Sequence, residues 1–332
     1  MQELAATAQR QYIDSVAVFT AHEEAIAEAA QVRGGMYWKN TGYLIRTSAT
    51  GGEKSLGPRS AETERIYARF VERKGSATSR LAGLKQKLDE CRRLNRALHV
   101  GRLETIVVRL LNELAAANLA GHFRVVGTHA LYAYEAQAGI RFDSDALATR
   151  DIDLLWDVAK RVRFATLLSR VDTSMLNLLK KVDKSFRRRN SQLYTAVNQD
   201  GFEVDIIRRE PVDGDPHPMR ISADEDDFWV ARATNAHLLL DAPPFTAVVV
   251  ASNGEMARMN TLHPLAFAKF KSWMAQLPGR DPMKKRRDLL QAQAVEEAVH
   301  EYLPQLAGGY VSPDIPPPQG LAELATDVPG ST

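Results

Sequence analysis

The chain has 332 residues, 45% of them hydrophobic and 25% charged, with a formal net charge of +2 and a pI near 8.6. That is enough apolar material for a full core and for two domains, and the charge balance is too mild to require a nucleic-acid partner. One cysteine, Cys91, excludes an intramolecular disulfide, and no stretch is long and apolar enough to span a membrane, so a cytoplasmic protein without a signal peptide is expected.

Residues 1–100 read as a mostly helical region. An Ala- and Glu-rich helix over about 3–32 stops at Gly34-Gly35, and a β-hairpin follows near 36–45, turning at Asn40-Thr41-Gly42. After a Gly-rich loop ending near Arg59, helix resumes at Ser60, breaks near Gly75, and continues with Leu81, Leu84, Leu88, Cys91, Leu94 and Leu98 on one stripe. That stripe could form a homodimer; packing within the chain is the plainer reading.

From 101 to 260 the pattern changes to strands and short helices. Phe123–Val126 reads as a strand, Gly127-Thr128 as a tight turn, and His129 to Ala138 as a helix closed by Gly139, with Thr128 suited to the N-cap. Such a helix start offers unpaired N–H groups and a positive dipole end to an anion. An insertion over about 140–149 carries Asp143-Ser144-Asp145, read as a solvated loop.

Asp151-Ile152-Asp153-Leu154-Leu155-Trp156 reads as a buried strand whose period of two sends both aspartates to one face. Phe202-Glu203-Val204-Asp205-Ile206-Ile207 repeats the pattern, so Asp205 joins the pair if the strands are neighbours. Three such carboxylates repel by about 4 kcal/mol per pair at ~4 Å, which calls for a cation or for raised pKa values. Oxygen donors alone favour Mg²⁺ or Mn²⁺.

Two basic runs, Lys180 to Arg189 and Lys284 to Arg287, are solvated faces or contacts for a polyanion in the cleft. Asp224-Glu225-Asp226-Asp227 is expected to be an exposed loop. Residues 261–307 read as a C-terminal helical lobe: one helix starts at Pro264 with Lys269 at its edge, and another at Pro282 with Asp288 on its apolar stripe. A buried aspartate needs a cation, and Lys269, Arg280, Lys284 or Arg287 could supply it. Residues 308–332 form a Pro-rich tail without periodicity.

Taken in order, GTHALYAYEAQAG, RDIDLLWD, VDKSF and GFEVDII resemble the DNA polymerase β-like nucleotidyltransferase superfamily, and within it a bacterial branch related in layout to abortive-infection and toxin-antitoxin nucleotidyltransferases. The likeness covers roughly residues 100 to 305. It implies an α+β protein with a mixed-sheet core, Asp151, Asp153 and Asp205 as catalytic carboxylates and metal ligands, and Gly127 and Thr128 at the nucleotide's phosphates. Lys269 and Arg287 are further candidates for nucleotide binding. Thr128 stands where serine is commoner, and the spacing from Thr128 to Asp151 is longer than in compact members.

The expected activity is transfer of a nucleoside monophosphate from an NTP to a hydroxyl on RNA, tRNA especially, or on protein. A non-catalytic NTP-binding regulator or toxin-antitoxin component is the alternative. A Mg²⁺-dependent nuclease would share the carboxylates but leave the Gly-Thr turn without a purpose.

Overall fold

A computed structural model describes the chain apart from residues 148, 171–172, 212–214, 216–218, 309 and 311–332. Most of the Pro-rich tail therefore lies outside the described residues. The chain divides into two compact units: Thr7–His99, and Met1–Ala6 together with the chain from Val100 onward. The first strand, β1 (Gln2–Glu3), belongs to the second of these.

The smaller unit holds α1 (Ala6–Gln31), the antiparallel strands β2 (Gly35–Trp38), β3 (Tyr43–Thr47) and β4 (Glu53–Pro58), and α2 (Ala61–Ala97). Gly42 takes a positive φ of 79° and donates to the Lys39 carbonyl at 2.8 Å, which closes the first hairpin. Two expectations fail here. The Gly-rich loop contains β4, registered on β3, and α2 runs through Gly75 without a break. An exposed mid-helix glycine costs only about 1 kcal/mol, and α2 has a strong start in the capping box of Ser60 and Thr63. Cys91 is buried, but the buried line then shifts from Leu94 to Asn95, which accepts from the Ser15 hydroxyl at 2.8 Å.

The larger unit follows the order α3 (Thr105–Ala116), β5 (Phe123–Val126), α4 (Leu131–Ala138), β6 (Ile140–Arg141), α5 (Ser144–Leu147), β7 (Asp151–Trp156), α6 (Arg161–Arg170) and α7 (Met175–Val182). It continues with β8 (Arg187–Arg189), β9 (Gln192–Val197), β10 (Glu203–Arg208), β11 (Ala231–Arg232), α8 (Ala236–Asp241), β12 (Pro244–Val250), β13 (Met256–Leu262), α9 (Pro264–Ala275) and α10 (Pro282–Tyr302). The main sheet has the order β5-β7-β10-β9-β8, with β11 beside the end of β10. Only β7–β10 and β10–β11 are parallel, so the sheet is mixed and the fold is α+β. β1 pairs with β6, and the β12–β13 hairpin is tied to β5 by the Thr261 hydroxyl, which donates to the Val125 carbonyl at 2.7 Å.

Ile152, Leu154, Val204 and Ile206 are completely buried on one face of the sheet, in a core shared with Val107, Leu110 and Leu114 of α3. Each such side chain contributes about 1.5–3 kcal/mol. A one-residue slip of either strand would put its aspartates into that core, so burial of the aliphatic face fixes the direction of the acidic one.

The acidic run 224–227 is only partly an exposed loop. Asp224, Glu225 and Asp226 are exposed, whereas Asp227 is completely buried and accepts from the Met175 and Leu176 amides at 2.9 and 3.0 Å. It supplies the first turn of α7 with the acceptors that orphan helical N–H groups need. Asp143 and Asp145 are exposed as expected, but Ser144–Leu147 forms a short helix instead of a loop.

Candidate active site

Parallel pairing places Asp205 directly beside Asp153, and Glu203 beside Asp151. Neighbouring strands lie about 4.8 Å apart, so four carboxylates project from one small area of the sheet. They line a cleft of about 480 Å³ together with Gly127, Thr128, Tyr194, Phe270, Lys271 and Arg287. Glu203 shares this face by the same period-of-two logic, although it is not one of the three carboxylates that the resemblance implies.

Gly127 sits at the end of β5, next to Val126, which pairs with Asp153. Its φ of 71° and ψ of −158° belong to glycine alone, and a Cβ there would overlap the Asp153 carboxylate oxygen Oδ2. The turn thus packs its backbone against a catalytic candidate, which any side chain would prevent.

Thr128 does not act as the expected N-cap. The turn opens as a short 3₁₀ segment, Thr128–Ala130, before α4, and no side chain caps it. Instead the Thr128 hydroxyl accepts from Gln291 Nε2 at 3.0 Å, and the same amide donates to the Ala146 carbonyl at 2.7 Å. Gln291 of α10 therefore ties the turn to the last helix. His129 is completely buried, its ring nitrogens 2.9 Å from the Asp151 carbonyl and 3.2 Å from Glu104 Oε2. It fixes the start of the β7 backbone by packing and hydrogen bonding.

Hydroxyls hold two of the carboxylates. Thr149 donates to Asp151 Oδ1, and Thr195 donates to Asp205 Oδ1 at 2.5 Å. Arg189 pairs with Glu203. Burial, with Asp151 and Asp205 adding to it, raises the Asp153 carboxyl to about 7, against the pull of Lys271 and Arg287. Burial also raises Asp205 to about 6; Thr195 opposes the shift, and Asp151 and Glu203 reinforce it.

The opposite wall is basic and aromatic. On α9, Phe267, Phe270, Lys271 and Met274 line the cleft, at the i, i+3, i+4, i+7 spacing of one helix face. Lys269, the residue expected from the sequence, is not among the lining residues; two positions from Lys271 on a helix of 3.6 residues per turn, it lies on nearly the opposite side. On α10, Lys284 and Arg287 line the cleft, and Asp288 and Gln291 continue the same face.

Asp288, completely buried, receives Lys271 Nζ at 2.9 Å and Arg280 Nε at 2.6 Å. Arg280 was one of the cations considered from sequence. Lys271 was missed, because its phase on the helix shows only once the partner is known.

Hard divalent cations take oxygen donors, and the donors here are all carboxylate oxygens. The hydroxyl contacts occupy Oδ1 of Asp151 and of Asp205 and leave Oδ2 of each for a ligand. Among the described residues no three acidic, His or Cys side chains are already closed around one point. The donor chemistry fits the ion, whose charge would offset the cost of burying these carboxylates and the smaller repulsion between them.

The mixed sheet thus carries its acidic cluster beside a glycine turn, facing a basic wall across one cleft. A nucleotidyltransferase family model matches residues 105–312, more than half of the chain, and the chain belongs to that family. No curated protein and no solved structure matches it. Among the described residues, no helix is long and apolar enough to cross a membrane.

Proposed function

We propose that the protein moves a nucleoside monophosphate from an NTP to a hydroxyl of a macromolecular acceptor, with Mg²⁺ or Mn²⁺ as the metal. The observation that carries this reading is a single cleft with Asp151, Asp153 and Asp205 on one wall and Lys271, Arg280, Lys284 and Arg287 on the other.

The chain's own groups divide the work. The Gly127 turn packs its backbone against the Asp153 carboxylate and lines the same cleft, so N–H groups at the start of the following helix would face a phosphate held beside the aspartates. Lys271, Lys284 and Arg287 offset the charge of the triphosphate and of the departing pyrophosphate. Asp151, Asp153 and Asp205 would hold the divalent ions, and Asp205 would take the proton from the attacking hydroxyl. The bound ions would polarise the α-phosphate and lower the pKa of the attacking oxygen. Phe270 and Trp273, stacked with their centroids 5.6 Å apart on the cleft wall, offer an apolar surface to a base.

The test is incubation of the purified protein with each α-³²P NTP, Mg²⁺ or Mn²⁺, and total RNA plus lysate protein, beside an Asp151→Ala/Asp153→Ala control. Label should enter RNA or protein only with the wild type. No transfer with intact NTP binding would favour the regulator reading, and loss of binding as well would remove the nucleotide assignment.

A further inference from the structure

The net charge of the chain is unevenly divided. Thr7–His99 carries sixteen Lys and Arg against ten Asp and Glu, a net of +6, although the whole chain nets only +2. Residues outside that unit are therefore net acidic, and none of the basic runs singled out from the sequence accounts for the excess.

Much of this charge faces one groove. A cavity of about 550 Å³ in the smaller unit is lined by Arg46, Arg65, Arg69 and Arg73, around Phe70 and Ile66, with Glu62 as its one acidic residue. Arg65, Arg69 and Arg73 recur every fourth residue of α2, so they share a face about 6 Å apart along the axis. All three are exposed, and among the described residues none meets a carboxylate within ion-pair distance. Arg65 Nε donates to the Ala61 carbonyl at 3.0 Å and Arg73 reaches Gln31 Oε1 at 3.5 Å, whereas the Arg46 guanidinium donates to the Arg33 carbonyl at 2.9 Å and lies over the Phe70 ring at 4.2 Å.

We propose that this groove binds the sugar-phosphate backbone of single-stranded RNA. Three arginines one helical turn apart match a chain of regularly repeating phosphates, which an acidic polypeptide with its variable carboxylate spacing does not offer. Arginine forks pair with phosphate oxygens through two parallel hydrogen bonds. Arg46, already stacked and oriented on Phe70, extends that platform toward a base. The groove shares no lining residue with the cleft that holds the aspartates and requires neither NTP nor metal.

The experiment measures binding of a fluorescent ~20-nucleotide uridine RNA to the full-length protein without NTP or divalent metal, as a function of salt. Probes of the same length in DNA and in polyglutamate run alongside. The variant is Arg65→Gln/Arg69→Gln/Arg73→Gln, checked by circular dichroism and thermal melting; Arg69→Glu is a second, single change at the centre of the row. Lys180→Gln/Lys181→Gln/Lys184→Gln is the comparison in the other unit.

The triple arginine variant should bind RNA at least about ten-fold more weakly, and its log–log salt slope should flatten by about two, at about 0.7 per lost phosphate contact on a single strand. Arg69→Glu should weaken binding in the same direction, and both nucleic-acid probes should bind more tightly than polyglutamate. Unchanged affinity and slope in the arginine variants, loss only in the lysine variant, or polyglutamate binding as tight as RNA would each overturn the proposal. Since no nucleotidyl transfer is read, a failed transferase assignment leaves this test intact.

Discussion

Asp153→Asn should make the metal-free protein more stable at neutral pH while removing its activity. The Asp153 carboxyl sits at about 7 in the folded state against an ordinary 3.8, so between those values the native state holds a proton that the unfolded state has released. By linkage, stability then falls as pH rises from about 4 to about 7, and the loss is complete above that range. At 1.36 kcal/mol per pH unit, the penalty should grow by about 2–3 kcal/mol between pH 5 and pH 8. Asparagine keeps the shape and carries no charge, so the variant should keep only the smaller loss that Asp205, itself raised to about 6, contributes as pH rises to that value. The assay is urea unfolding in EDTA at both pH values, followed by tryptophan fluorescence; Trp156, Trp229 and Trp273, three of the four tryptophans, lie in the larger unit. Mg²⁺ should restore stability to the wild type at pH 8 and do less for the variant. Parallel stability profiles for the two proteins from pH 5 to 8 would refute the assignment of a buried, charge-repelled carboxylate.

Gly127→Ala should cost about 1–3 kcal/mol from backbone strain alone and displace Asp153 as well; urea unfolding and NTP titration check both, and an alanine variant with wild-type values would show that the turn is not tight. Lys271→Ala should destabilise by about 1–3 kcal/mol, because the buried Asp288 carboxylate loses one of its two cations and keeps Arg280, and it should weaken NTP binding, whereas Lys269→Ala should leave NTP affinity within about two-fold, a contrast that calorimetry would resolve. Asp227→Ala should cost about 2–4 kcal/mol, since two buried amides of α7 lose their acceptor, and hydrogen exchange at Met175 and Leu176 should accelerate. His129→Phe should lower thermal stability and raise the KM for NTP by loosening the start of β7, and an unchanged KM would confine His129 to packing.

The acidic wall was legible because strand geometry is strict. Once Ile152, Leu154, Val204 and Ile206 are taken as core, Asp151, Asp153, Glu203 and Asp205 have only one direction left, and the parallel register supplies the adjacency. Gly127 was legible for a related reason: a glycine between a strand and a helix marks a backbone approach, although its partner Asp153 was not named by the sequence.

The basic wall was harder to read. Lys269 and Lys271 both lie in an apolar helix with Phe, Trp and Met around them, and the choice between them depends on the rotation of α9 against α10, which Asp288 sets from seventeen residues away. Thr149 and Thr195 carry no motif, because a hydroxyl beside a carboxylate is decided by tertiary placement. The three-residue β8 and the two-residue β11 are too short for periodicity to register. The continuity of α2 through Gly75 shows the converse limit: a weak local breaker loses to a long, well-capped helix.

The two walls of the cleft are also separated in time. A ribosome completes β7 and β10 before it reaches α9 and α10, so the carboxylates at 151, 153, 203 and 205 exist in the nascent chain without the cations at 271, 280, 284 and 287. Until Gln291 emerges, the Thr128 hydroxyl also lacks its donor from α10. An emerging chain in this state would carry an acidic patch open to passing divalent ions and basic factors, and stop codons placed between 210 and 264 should yield products that proteases clear quickly.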